Sequence, residues 1–207
     1  MNGMNKKCNR NKLFALCMSL MLVFSMLLQQ QDSYRMCRRQ NIIAQQALKK
    51  QLIADKRQYC KWGRNQIKYA YADVDGDNVL ELITEPGYGY LTQAVYDYQN
   101  GTVRNVASVG QGYFTKYYPD RKIISIKNSG HMGVLCDYYL KYVNGRYKTV
   151  AYAEKDYGKR SYDENPVKIT YYVHGQKATK AEYSAYIKKL IKNKTGKSFS
   201  KLKWKRY

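Results

Sequence analysis

The chain has 207 residues, of which 44% are hydrophobic, so it is long enough to bury a core and suggests one domain with extensions. Its net charge of +22 does not arise in the middle of the chain, because residues 73–176 carry 12 acidic and 12 basic side chains. This distribution excludes a uniformly basic nucleic-acid-binding domain and predicts a neutral body with two basic arms, residues 34–72 and 177–207, which carry +9 and +10.

The first predicted element is a hydrophobic leader in residues 1–31. Four basic residues between Lys6 and Lys12 precede residues 13–28, LFALCMSLMLVFSMLL, which carry no charge and are mostly apolar. This order is typical of an export signal. As a helix the apolar stretch spans roughly 24 Å, somewhat less than a bilayer core, and neither a small-x-small cleavage site nor a lipobox follows it. We expect a signal anchor or a cleaved signal peptide, with a buried core helix as the third interpretation.

Residues 32–62 are predicted to form a polar helical stalk. The stretch from 32 to 59 contains neither Gly nor Pro. Apolar side chains recur in it at near-helical spacing: Ile42, Leu48, Leu52, Ile53 and Tyr59. The helix could separate the leader from the folded domain, or it could pack on that domain.

Residues 63–176 are predicted to form an antiparallel β domain. From Ile67 onward, alternating Tyr, Val, Ile and Thr are broken by short turn signals, and the Asn-Gly pairs that begin at Asn100 and Asn144 are typical of tight hairpins. The predicted strands are residues 66–72, 80–84, 94–98, 102–107, 113–118, 122–127, 138–143 and 146–152. Strands joined by short turns form a meander, and the weak similarity between the hairpins leaves a partial propeller open as a variant.

Residues 177–207 are predicted to form a basic amphipathic helix and a tail. Thr179 and Glu182 form a T-x-x-E capping box at the start of this helix. Its apolar face consists of Tyr183, Tyr186, Ile187, Leu190 and Ile191. We expect the helix to stop at Gly196 and residues 198–207 to form a basic tail. The predicted fold class is therefore α+β, an antiparallel β meander between an N-terminal polar helix and a C-terminal amphipathic helix.

The strongest chemical signal is an acidic loop between the first two predicted strands. Its carboxylates are those of Asp73, Asp75, Asp77 and Glu81, at positions 1, 3, 5 and 9, and position 7 offers the carbonyl of Val79. Oxygen ligands at alternate positions converge on a hard cation when the backbone turns tightly around it. Carboxylates so close together would repel one another without a cation. We predict a structural cation site, with an acidic turn that binds no ion as the alternative.

The loop is not expected to be an EF-hand, because positions 6 and 12 hold Asn78 and Thr84 instead of Gly and Glu. Residues 72–83, ADVDGDNVLELI, resemble the D-x-D-G-D-x-x-x-E-L loop of FG-GAP and VCBS-type repeats. The resemblance implies a Ca²⁺ ion between two strands of a β unit. Asn78 stands where those repeats usually have Gly, and Asn also adopts the left-handed conformation. Residues 60–190, with VYDYQNG and YYLKYVNGRYK, are further similar to uncharacterised secreted or lipoprotein-like proteins of Gram-positive gut bacteria.

The other chemistry-bearing residues do not assemble an enzyme class in the sequence. The chain has two histidines, His131 and His174, and no nucleophile elbow, phosphate loop or zinc motif. A glycan or wall hydrolase with paired carboxylates stays open. Among the 23 tyrosines, Tyr88 and Tyr90 are the best candidates for exposed ligand-binding rings, although Tyr is also a good strand residue.

The cysteines do not decide the compartment. Beyond the leader the chain has Cys37, Cys60 and Cys136, without a C-x-x-C pair that would indicate zinc. One disulfide with one free thiol and three free thiols are both compatible with this pattern.

Together these elements predict a non-enzymatic extracytoplasmic binding or structural module stabilised by calcium. Its leader would associate with the membrane, so the protein would face the outside of the cell or be secreted. The alternative is a polyanion binder that acts through its basic arms. Anionic cell-wall polymer and anionic lipid are the expected partners in that case, and nucleic acid is the least expected.

Overall fold

The computed structural model describes residues 4–60, 66–86, 93–109, 115–127, 135–159 and 166–207. The chain divides into two compact units, Met1–Ile42 and Ile43–Tyr207. The α+β prediction is confirmed, since the structure has one long N-terminal helix and two antiparallel sheets of 5 and 7 strands.

Helix α1 runs without interruption from Met4 to Cys60 over 57 residues. It joins the predicted leader and the predicted stalk because no Gly or Pro occurs between these two residues to break it. Large apolar side chains between Met18 and Leu28 are exposed along the part of the helix that belongs to the first unit. Within the described residues, no helix is both long enough and apolar enough to cross a membrane.

The described part of the second unit contains twelve strands and a second helix after α1. The strands are β1 Ile67–Ala72, β2 Glu81–Pro86, β3 Gln93–Gln99, β4 Thr102–Val109, β5 Thr115–Tyr118, β6 Ile123–Ile126, β7 Leu135–Val143, β8 Arg146–Asp156, β9 Lys168–Val173, β10 Gln176–Ala178, β11 Lys197–Ser198 and β12 Lys205–Arg206. Helix α2, Lys180–Ile191, lies between β10 and β11. The predicted hairpins are all present, and the sequence analysis missed the hairpin of β9 and β10.

The strands form two meanders that the C-terminal segment extends. The first sheet has the order β12-β1-β2-β3-β4, and the second has the order β10-β9-β8-β7-β6-β5-β11. Every recorded strand pair is antiparallel. Because β11 and β12 join different sheets, the last eleven residues of the chain tie the two sheets together.

The second unit has four layers. A core between the sheets contains Ile83 and Val95 from the first sheet and Ile124 and Leu140 from the second. The outer face of the first sheet packs on residues 43–60 of α1 through a cluster formed by Ala44, Leu48, Leu52, Ile67 and Leu82. The outer face of the second sheet packs on α2 through a cluster that includes Tyr139, Val150, Tyr183, Ile187 and Leu190. Because side chains alternate between the two faces of a strand, each sheet packs on the other sheet with one face and on a helix with the other.

A buried carboxylate fixes the end of α1 on the first sheet. Asp55, 4% exposed, accepts hydrogen bonds from Thr84 Oγ1 at 3.0 Å, Tyr96 Oη at 3.0 Å and Gln51 Nε2 at 2.8 Å. Burying this charge is tolerated because three donors satisfy it. Residues 43–60 are therefore packed on the β domain, which is the second of the two arrangements considered for the predicted stalk.

The predicted capping box begins α2. Thr179 accepts a hydrogen bond from the Glu182 amide, and the Glu182 carboxylate accepts one from the Thr179 amide at 2.8 Å. The prediction that Gly196 stops the helix is wrong. Lys192 and Asn193 adopt positive φ angles of 49° and 56° and end the helix at Ile191.

The segment predicted as a basic tail, residues 198–207, is packed into the β domain. Phe199 is 0% exposed in the core between the sheets, and a short 3₁₀ helix, Phe199–Lys201, connects β11 to β12. Gly196 lets the chain pass against Tyr118, since a Cβ at this position would lie 2.6 Å from the ring atom Cζ. The periodicity of the helix ends before this segment, so its burial could not be read from a helical pattern.

Candidate metal site

The acidic loop connects β1 to β2 and turns through two residues in the left-handed region. Gly76 has φ of 80° and Asn78 has φ of 68°. A Cβ on Gly76 would lie 2.7 Å from the Pro119 carbonyl oxygen, so glycine is required both for its conformation and for space. Asn78 takes the conformation expected of an Asn that replaces Gly. These two turns fold the acidic side chains back toward the start of β2.

Backbone amides hold the carboxylates in place. Asp73 Oδ1 accepts a hydrogen bond from the Gly76 amide at 2.7 Å, and Asp75 Oδ1 accepts one from the Asp77 amide at 3.2 Å. Glu81 Oε2 accepts one from the Val74 amide at 2.5 Å. Asp73 Oδ2 accepts a further hydrogen bond from the Asn78 amide at 3.3 Å, and Asp75 Oδ2 accepts one from Lys122, whereas Glu81 Oε1 has no partner among the described residues.

Three of the five predicted ligands come together. Asp73, Asp75 and Glu81 each place a carboxylate oxygen within 4.8 Å of the other two. Asp75 and Glu81 are only 3% and 1% exposed. We call these three residues the acidic cluster. Its donor set of carboxylate oxygens could hold a metal ion, and it is the set that a hard cation prefers.

The fourth predicted carboxylate, that of Asp77, is not part of the acidic cluster, and the backbone carbonyl of Val79 stays a predicted ligand. Asp77 lies on the exposed side of the loop, and its Oδ1 accepts a hydrogen bond from the Val79 amide at 2.7 Å. Partial burial, with added repulsion from Asp75, raises the pKa of Asp77 to about 6. The Val79 side chain packs against the hydrophobic cluster between α1 and the first sheet.

Sequence analysis missed an acidic residue beside the cluster. Asp97 on β3 is 2% exposed, and the register that pairs Leu82 with Tyr96 brings Asp97 opposite Glu81. Asp97 Oδ2 accepts hydrogen bonds from Tyr142 Oη at 2.8 Å and Gln99 Nε2 at 2.6 Å. Burial raises the pKa of Asp97. The sequence does contain a signal for this residue, because Asp97 lies inside the strand VYDYQ. Side chains alternate between the two faces of a strand, and this alternation places Asp97 on the face toward the second sheet.

Several buried oxygens around the cluster lack a hydrogen-bonding partner among the described residues: Glu81 Oε1, Asp97 Oδ1 and Tyr147 Oη. Tyr147 belongs to β8, so it reaches this place from the second sheet. The pKa of Glu81 is raised to about 10, mainly because the carboxyl is buried. The hydrogen bond from the Val74 amide lowers this pKa, and the negative charge of Asp75 raises it further. A buried polar atom without a partner costs about 1–3 kcal/mol, so these oxygens mark a place where a ligand would stabilise the fold.

One lysine partly balances the negative charge. Lys122 Nζ lies 3.4 Å from Asp75 Oδ2, and about half of the Lys122 side chain is exposed. A single half-exposed ammonium at this distance contributes little, because solvent screens it. The acidic cluster together with Asp97 therefore keeps an excess of buried acidic groups over cations among the described residues.

Some of the remaining candidates from the sequence lie in the described part of the chain and others do not. Tyr88, Tyr90 and His131 lie outside the described residues. His174 occupies the turn between β9 and β10, with φ of 51°, and its ring packs edge-on against Tyr186. Cys60 is a free, exposed thiol, and the side chains of the other two cysteines beyond the leader lie outside the described residues.

Comparisons of this chain with protein families, with curated proteins and with solved structures found no match. The geometry of the site is therefore the basis of the functional argument.

Proposed function

We propose that the protein is an exported, non-enzymatic binding or structural module whose β domain is stabilised by Ca²⁺ at the acidic cluster. The observation that carries the proposal is the convergence of Asp73, Asp75 and Glu81 within 4.8 Å, with one buried Glu81 oxygen lacking a partner. Among the described residues only the half-exposed Lys122 forms an ion pair with the acidic cluster, through Asp75, and a divalent cation would supply the remaining positive charge.

Calcium suits this site better than magnesium. The ligands come from an irregular loop and a strand, and Ca²⁺ accepts 6–8 oxygens in flexible geometry, whereas Mg²⁺ demands a near-ideal octahedron. Asp97 would supplement the three ligands of the cluster from the neighbouring strand. The resemblance of the loop to FG-GAP and VCBS-type repeats supports the same ion.

A structural role follows from where the ligands lie. The loop ligands precede β2, Glu81 begins β2, Asp97 lies on β3, and Tyr147 approaches from the second sheet. A cation held there would fix the loop against both sheets, and its binding free energy would add directly to the stability of the fold.

The basic and apolar order of the leader supports export. Extracellular calcium modules typically bind with Kd of about 0.1–1 mM, which suits a compartment where calcium is plentiful. Cell fractionation tests this part of the proposal. Intact protein found in the cytosol alone, and never with membranes or medium, would reject export while leaving the metal claim standing.

Thermal melting of the full chain tests the metal claim. At about 10 mM Ca²⁺, roughly 10 to 100 times such a Kd, linkage predicts a gain of about 1.4–2.7 kcal/mol over the protein in EDTA. Asp75→Asn should lose most of this gain. Glu85→Gln is the matched control, because Glu85 lies on the same face of β2 with both oxygens already hydrogen-bonded. If the wild type melts at one temperature in EDTA, Ca²⁺ and Mg²⁺, the site binds no such ion.

The exposed lysines of α2 favour polyanion binding as the second candidate function. Lys188 and Lys189 are exposed on the side of the helix opposite its packed face, and Lys192 follows them at its end. Replacing these three by Gln should weaken retention on an anionic matrix and reduce its salt dependence. Deletion of residues 196–207 is not a usable test, since it removes Phe199 from the core.

A further inference from the structure

A second polar site lies at the opposite end of the first sheet. The register places Arg206 of β12 opposite Lys68 of β1, and Lys68 opposite Glu85 of β2. Since Thr84 pairs with Ala94, Gln93 of β3 continues this row. These four side chains, together with Trp204 and Lys205, line a cavity of about 310 Å³.

The cavity carries unbalanced positive charge. Glu85 is its acidic member, and its oxygens accept hydrogen bonds from Lys68 Nζ at 3.1 Å and Gln93 Nε2 at 2.5 Å. Lys205 and Arg206 have no acidic partner among the described residues. Lys68 and Arg206 are moreover directly opposed cations on neighbouring strands, and Glu85 is an ion-pair partner of Lys68 alone.

Two further features point to a ligand. Gln93 is 0% exposed, and because its amide nitrogen donates to Glu85, its Oε1 is a buried acceptor without a donor among the described residues. Trp204 Nε1 donates to the Phe199 carbonyl at 2.9 Å, so the indole is held in place at the cavity. A rigid aromatic wall beside convergent polar groups is the usual composition of a small-molecule site.

We propose that this cavity binds a phosphate ester of a sugar or a polyol. The Arg206 guanidinium, which shares a face of the sheet with Lys68 and Glu85, would hold the phosphate as a planar fork. Trp204 would pack against the carbon face of the ligand, and a hydroxyl group would satisfy the acceptor of Gln93. The volume is at the lower end of the range for ligand pockets, so it fits one such unit. The site shares no ligand with the acidic cluster and does not depend on calcium.

Calorimetric titration of the full chain tests the proposal, with glycerol 3-phosphate and glucose 1-phosphate as probes. Inorganic phosphate and glucose serve as comparison ligands, because each has only one half of the required chemistry. Both esters should bind more tightly than either comparison ligand. Arg206→Gln should weaken ester binding about tenfold or more. Lys201→Gln removes the same charge from a neighbouring exposed position outside the cavity and should leave the affinity unchanged.

The same variants distinguish two sources of the ester. If soluble poly(glycerol phosphate) competes with glycerol 3-phosphate and loses affinity in Arg206→Gln, the cavity recognises a unit of an anionic polymer. If only the free esters bind, it recognises a soluble molecule, and both results support the proposal. Failure of both esters to bind, or equal losses of affinity in the two variants, would overturn it. Melting temperatures of the variants show that each remains folded.

Discussion

Replacing Glu81 by Gln removes one charge from the acidic cluster and keeps the size of the side chain. Burial raises the pKa of Glu81 from 4.5 to about 10, so without a cation the folded protein holds a proton at pH 7 that the unfolded chain releases. At about 1.36 kcal/mol per pH unit, over roughly 2.5 units, this proton costs about 3 kcal/mol. Gln needs no proton. In EDTA, Glu81→Gln should therefore be more stable than the wild type by up to about 3 kcal/mol, or about 6–12 °C in melting temperature for a domain of this size.

Calcium should largely cancel this difference. The wild type gains about 2.7 kcal/mol at a Ca²⁺ concentration 100 times Kd, whereas the variant has lost a charged ligand and gains little. Differential scanning calorimetry of both proteins in EDTA and in Ca²⁺ measures the difference in stability under each condition. A single set of conditions would not distinguish a cation site from an ordinary buried carboxyl, whereas a difference that disappears with calcium does.

Glu85→Gln is the control for this experiment, because the Glu85 carboxylate has Lys68 and Gln93 as partners. Its stability should fall or stay the same in both buffers, with no dependence on calcium. If Glu81→Gln melts below the wild type in EDTA, the protein itself stabilises the Glu81 carboxylate. The reasoning from its unpaired oxygen would then be wrong.

Four further outcomes follow from the structure. Without divalent cations, stability should fall as pH rises from about 4.5 toward 10, since the folded state binds a proton at Glu81 that the unfolded chain lacks; melting curves between pH 6 and 8 in EDTA would lack this fall if the carboxyl were ionised in the folded state. Asp55→Ala leaves three donors unpaired and should cost about 3 kcal/mol in urea unfolding, and Asp55→Asn should cost less because it keeps one acceptor. Phe199→Ala should cost about 3–5 kcal/mol, whereas a loss below about 0.5 kcal/mol would mean that the C-terminal segment is outside the core. Gly196→Ala should cost about 1–3 kcal/mol by urea unfolding because the new methyl group meets the Tyr118 ring, and an unchanged midpoint would contradict that contact.

Local signals predicted much of the fold. The two Asn-Gly turns have the positive φ angles that tight hairpins require, 48° and 80° at Asn100 and Gly101, and 51° and 79° at Asn144 and Gly145. The capping box fixed the start of α2 in the same way. In each case the signal lies within four residues of the structure that it specifies, so no tertiary information was needed.

Features that depend on distant parts of the chain were not predictable. Strands β11 and β12 have two residues each, and β12 pairs with β1 across more than 130 residues of sequence. Two-residue strands carry no periodicity, so their pairing is decided by the burial of Phe199 between the sheets. The boundary expected near residue 31 came from a change in composition, and a helix responds to breaking residues rather than to such a change.

The acidic loop likewise combines features that local sequence predicts with features that depend on distant parts of the chain. Its spacing predicted Asp73, Asp75 and Glu81, because a tight turn brings alternate positions together. Asp97 and Tyr147 join it only through strand register and through the packing of one sheet on the other. The sequence also gave no reason to separate Asp77 from the other ligands, since its outward position depends on how the loop lies against the rest of the fold.

Glu81 and Glu85 show why partners matter more than burial at such a site. They lie four residues apart on β2 and face the same way, because side chains alternate along a strand. The residue opposite Glu81 is another acid, Asp97, whereas Glu85 has Lys68 on one side and Gln93 on the other. Glu85 is therefore neutralised by the chain itself, whereas Glu81 is neutralised by a proton or, as we propose, by a cation from solution. Beyond Glu85 the row continues to an unpaired Arg206, so the same face of the sheet has an excess of negative charge at one end and of positive charge at the other. An ion of either sign would be attracted to only one of these ends, which is why calcium and a phosphate ester are assigned to different sites.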